Sequence, residues 1–132
     1  MKNVYDITNE FEEKLARYTG AKYAVTLDNM SNGLFLALYY EHYVNKSIKT
    51  DTITIPNRTY PSVPCEIIHA GLKVGWDIQE GNTITGAYEL KGSNVWDSAL
   101  TLPLICTNPE LICVFHLLDL ISILNYLKVV LF

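Results

Sequence analysis

The chain has 132 residues, enough for one domain with a real core, since a domain of this size buries roughly two-thirds of its unfolded surface. Its net charge is −4, its sequence pI is about 5.2, and its Lys and Arg are scattered, which excludes the basic stripe of a nucleic-acid binder. Cys65, Cys106 and Cys113 have neither metal-ligand nor redox spacing, and the polar, acidic start lacks the apolar run of a signal peptide; together these predict a cytoplasmic protein without a metal site.

In chain order, residues 9–19 predict an amphipathic helix. Asn9 and Glu12 have capping-box spacing, Phe11, Leu15 and Tyr18 share a face, and Gly20 is a natural stop. Residues 23–27 predict a short buried strand. A small polar turn, residues 28–33, follows it, and then a helix over residues 31–44. The β-branched run 52–55 predicts a strand that stops at Pro56. Residues 60–70 predict a helix with Pro61 and Pro64 in its first turn, closed by Gly71. Residues 72–76 predict the next strand, residues 79–93 are polar and contain glycine, and residues 94–97 predict another short strand. This alternation predicts an α/β fold with a mostly parallel sheet and covering helices.

In such sheets ligands bind beyond the carboxyl ends of the strands. Three polar spots fall there. Around Met30 and Ser31, backbone N–H groups at a helix start suit a phosphate, although a plain N-cap turn has the same look. Tyr60 offers a ring for stacking, or a packing residue. Asp97, at a strand end, can hold a protonated ring nitrogen, or cap a helix. His42, His69 and His116 fit no ligand motif and read as surface or packing residues.

The order of these motifs resembles the DegT/StrS-type nucleotide-sugar aminotransferases. Their F-E-x-x-x-A-x-Y-x-G helix reads here Phe11-Glu12-Glu13-Lys14-Leu15-Ala16-Arg17-Tyr18-Thr19-Gly20. Their S-G-T turn stands as Asn29-Met30-Ser31, and their P-x-x-T-Y/F segment as Pro56-Asn57-Arg58-Thr59-Tyr60. Ala70-Gly71-Leu72-Lys73-Val74 matches the next strand, and Val95-Trp96-Asp97-Ser98-Ala99 the aspartate motif. The resemblance implies an incomplete three-layer α/β/α half of a fold type I transferase large domain that binds pyridoxal phosphate (PLP). It implies that Met30 and Ser31 hold the PLP phosphate, that Tyr60 stacks on the ring, and that Asp97 bonds the ring nitrogen. It further implies glutamate as amino donor, a nucleotide-linked keto-sugar as acceptor, and a homodimer. Met30 departs from a family glycine, and Leu100 from a common glutamine.

From Pro103 onward the chain is strongly apolar and has no glycine, which divides it into a family-like part, residues 1–102, and a tail, residues 103–132. The family's Schiff-base lysine, in a segment like S-F-x-x-x-K followed by G-G, has no counterpart in the tail; Lys128 has the wrong neighbours. The catalytic set is therefore empty, and the chain reads as a truncated, inactive aminotransferase. Residue pairs in the tail can be re-read one frame over: Ile105-Cys106 and Ile112-Cys113 as Met, Ile121-Ser122 as Lys, Lys128-Val129 and Val129-Val130 as Gly. The re-read tail contains P-Y-K and G-G, which predicts out-of-frame translation from about residue 101 and a tail that is poorly ordered or aggregation-prone. The rival reading is a non-catalytic binding or membrane-tethered module. Residues 111–132 are long enough to span a bilayer, but a central Asp119 costs roughly 2.5–3.5 kcal/mol there.

Overall fold

The computed structural model describes residues 3–78, 86–99, 112–116 and 128–131. Helix α1 spans Val4–Thr19, earlier than the periodicity suggested. Its cap is Asn3, whose side chain accepts from Tyr5 N while Asp6 accepts from Asn3 N at 2.7 Å. The capping box is thus Asn3–Asp6, not Asn9–Glu12. Glu12 is used elsewhere: it accepts from both the backbone N and the hydroxyl of Thr26, each at 2.7 Å, and ties α1 to strand β1, Ala24–Leu27. Gly20 closes the helix at φ 76°, in the left-handed region that suits glycine. Leu15 and Phe11 face a small core with Ala16, Ala24 and Cys113. Tyr18, expected on that face, is exposed; Thr19 is buried in its stead and its hydroxyl bonds Leu15 O.

Helix α2, Met30–Tyr39, is capped by Asn29 and carries Leu34, Ala37 and Leu38 into the main core. The expected single helix over residues 31–44 instead widens into a π turn at Tyr40–Val44. Glu41, in that turn, is buried and takes donors from Asn45, Ser47 and Asn94. A widened turn places such a side chain off the ordinary helical path.

Strand β2, Thr52–Pro56, pairs in parallel with β3, Lys73–Asp77, across helix α3, Ser62–His69. Gly71 ends that connection at φ 81°, and a Cβ there would lie 2.6 Å from the Tyr43 hydroxyl. Strand β4, Tyr88–Glu89, forms a short antiparallel ladder with β5, Val95–Ser98. Two strands come from the tail: β6, Ile112–His116, parallel to β5, and β7, Lys128–Leu131, antiparallel to β6 and to β1. The sheets are β1-β7-β6-β5-β4 and β2-β3, joined by a bridge between Thr54 and Lys91.

The α/β class holds. The parallel character expected of the sheet is carried by β2–β3 and β5–β6, while β1–β7, β6–β7 and β4–β5 are antiparallel. The short turn between β4 and β5 allows only a hairpin, since a parallel return needs a crossover of a dozen residues or more. The expectation of a poorly ordered tail is corrected for β6: Ile112 and Val114 lie in the same core as Leu34, Leu38, Ile53, Ile55, Ile67 and Val95. A spanning helix over residues 111–132 is likewise corrected, because that stretch contains β6 and β7. Among the described residues no helix is long and apolar enough to cross a membrane.

Candidate functional site at the carboxyl edge of the sheet

The strand register brings several chain ends to one edge. Leu27, last in β1, pairs with Lys128; His116, last in β6, pairs with the same Lys128; Ser98, last in β5, pairs with Phe115. Carboxyl ends of β1, β5 and β6 therefore share an edge, and the sequence-predicted residues around Met30 and at Asp97 follow or sit on it.

Asp97 is 4% exposed. Its Oδ2 accepts from the Tyr88 hydroxyl at 2.7 Å, and its Oδ1 from Ala99 N at 3.0 Å. Tyr88 stands directly opposite Asp97 in the β4–β5 ladder, so both side chains leave the same face. The Tyr88 hydroxyl also lies 2.5 Å from Thr59 Oγ1. Burial, and then the Asp97 carboxylate beside it, push the Tyr88 phenol well above its ordinary range, so it remains a donor.

Thr59 precedes Tyr60, which is 74% exposed between β2 and α3. The structure thus brings the Tyr60 loop to Asp97 through Thr59 and Tyr88. The start of α2 follows β1 on the same edge; β7 and β6 stand between β1 and β5, three strand spacings or about 14 Å. At the α2 start, Asn29 Oδ1 accepts from Asn32 N at 2.7 Å. The Met30 and Ser31 N–H groups belong to the first turn, which has no intrahelical acceptors. Met30 itself is buried in the main core, so its side chain points away from the turn. Leu100 lies outside the described residues.

Sequence reasoning missed Tyr88 and Thr59. Tyr88 sits in a polar stretch without periodicity, and its only signal is a lone aromatic a hairpin's length before Asp97. Of the histidines, His69 is exposed, stacks on Phe35 at 4.4 Å and lies 3.2 Å from Glu66, as expected of a surface residue. Among the described residues no cluster of His, Cys, Asp and Glu could hold a metal ion.

Asp97 is thus a buried carboxylate at a strand's carboxyl end, joined through Tyr88 and Thr59 to the loop that carries the exposed Tyr60. Residues 1–84 match the DegT/DnrJ/EryC1/StrS aminotransferase family. The chain belongs to that family. Met30, Ser31 and Tyr60 lie inside the matched stretch, and Tyr88 and Asp97 beyond it. No curated protein and no solved structure matches the chain.

Proposed function

We propose that the chain carries the cofactor-holding part of a PLP-dependent sugar aminotransferase and does not transaminate by itself. The observation that carries this reading is Asp97: buried at the carboxyl end of β5, with Tyr88 and Ala99 donating to its two oxygens. A carboxylate surrounded by donors stays an acceptor, which is what a protonated ring nitrogen requires. Tyr60 supports the reading by its free aromatic face. At the α2 start, the amides of Met30 and Ser31 with the Ser31 hydroxyl would hold a phosphate, favoured by the positive helix end. Because the Met30 side chain packs in the main core, we expect it to leave those amides accessible despite the missing glycine.

When bound, PLP would supply the electron sink for amino transfer. Asp97 would orient the ring and hold the proton on its nitrogen, Tyr60 would cover one ring face, and Ser31 would fix the phosphate. We expect glutamate as donor, a nucleotide-linked keto-sugar as acceptor, and a second subunit completing the site. Proton transfer at the reacting carbon needs a lysine in this family. Lys128, first in β7, sits between Val129 and Leu127 in a segment without the family pattern.

Out-of-frame translation from about residue 101 accounts for that mismatch. The core position of β6 is compatible with either frame, because the re-read segment, M-C-F-S-F, is as apolar and strand-forming as Ile112-Cys113-Val114-Phe115-His116. The nucleotide sequence across codons 95–132 tests it; codons that fail to spell P-Y-K and G-G end the idea. For the site, the purified chain given PLP and glutamate should form no keto-acid, and turnover that depends on Lys128 would contradict the inactive reading.

A further inference from the structure

Tyr88 has one hydroxyl proton, and it is donated to Asp97 Oδ2. Its oxygen can then only accept from Thr59, whose hydroxyl lies 2.5 Å away. The series therefore has one polarity: Thr59 donates to Tyr88, and Tyr88 donates to Asp97. Hydrogen bonds in series polarise one another, so the last bond, to the carboxylate, is the one strengthened.

Two further features make this series more than local packing. First, its three members come from three separate places in the chain: the loop after β2, the hairpin strand β4, and the end of β5. Second, its outer member is the immediate neighbour of Tyr60. Bonds Thr54 N to Lys91 O at 2.9 Å and Lys91 N to Thr54 O at 3.0 Å clamp β2 to the β4–β5 turn, so the two ends of the series are fixed relative to each other. Ala99 N occupies the other carboxylate oxygen, which leaves Asp97 little freedom to rotate.

We propose that Tyr88 is a positioning residue for Asp97, and that Thr59 couples this pair to the Tyr60 loop so that the ring-nitrogen carboxylate and the stacking ring keep one spacing. The inference rests on the cofactor reading given above. Tyr88 acts through Asp97: it holds one carboxylate oxygen in place and favours the charged form, and it need not touch the cofactor.

The test uses the full chain with Tyr88→Phe and Thr59→Val, and two readouts. The first needs no cofactor: the pH midpoint of the Asp97 carboxyl carbon followed by NMR. Tyr88→Phe should raise that midpoint by about one unit, because it removes a hydrogen bond to the charged form. Thr59→Val should raise it less, in the same direction. The second readout is affinity for pyridoxamine phosphate, an amine that cannot condense with lysines. It should weaken about tenfold in Tyr88→Phe and about threefold in Thr59→Val, with the acid limb of binding moved to higher pH. A merely structural role would lower stability and leave the midpoint in place, and an unmoved midpoint in both variants overturns the proposal. If Tyr88→Phe does not fold, Thr59→Val decides by the same criterion. A wild-type chain that shows no pyridoxamine phosphate binding overturns the cofactor reading instead, and is told apart by the intact midpoint shift.

Discussion

The two ends of β5 are each held by a buried carboxylate, and the two carboxylates sit in different surroundings. At the amino end, Asn94 donates to Glu41 at 3.1 Å, and Glu41 also takes Asn45 at 3.0 Å and Ser47. At the carboxyl end, Asp97 takes Tyr88 and Ala99. Both acids are buried, Glu41 at 1% and Asp97 at 4% exposure. Glu41 lies in the π turn and uses its acceptors to tie that turn and the residues just after it to Asn94. Asp97 lies on the edge where strands end and beside an exposed aromatic loop. A buried acid alone is thus no sign of a site; the proposal for Asp97 rests on its place at a strand's carboxyl end.

Four substitutions break or sharpen this contrast. Glu41→Leu should have the largest effect on stability, about 3 kcal/mol in urea unfolding, because it leaves three donors, two of them half-buried, without their acceptor. Asp97→Asn should cost less, about 1 kcal/mol, yet weaken pyridoxamine phosphate binding at least tenfold. If the two variants instead changed stability and binding alike, the contrast between the ends of β5 would fail. Gly71→Ala, at φ 81° with the Tyr43 hydroxyl in the way, should cost about 1–2 kcal/mol and leave binding untouched. Asn29→Ala removes the α2 cap and should cost about 1 kcal/mol, with a small loss of phosphate affinity read by competition with inorganic phosphate.

Most of the element order was legible in the sequence because local signals agree with the fold. Gly20 and Gly71 mark turns that need a positive φ, and Pro56 marks a strand end. The start of α1 was misplaced because Asn3-Asp6 and Asn9-Glu12 have equal spacing, and only the tether from Glu12 to Thr26 settles which pair caps. The antiparallel ladders were not legible, since pairing of β7 with β1 joins residues a hundred positions apart. The same holds for the candidate site. Asp97 and Tyr60 stand in recognisable motifs, whereas Tyr88 matters only through a cross-strand pairing that no local pattern announces. Glu41 falls inside the helix expected over residues 31–44 and belongs to no motif; its burial goes with the π turn and with Asn94, both tertiary facts.

The most direct measurement is a titration of the full chain with pyridoxamine phosphate, wild type beside Asp97→Asn, at one pH and salt. The account predicts saturable binding by the wild type and at least tenfold weaker binding by Asp97→Asn, with both proteins folded. Equal affinity of the two, or no binding by a folded wild type, would contradict the assignment of Asp97 as the residue that holds the cofactor ring.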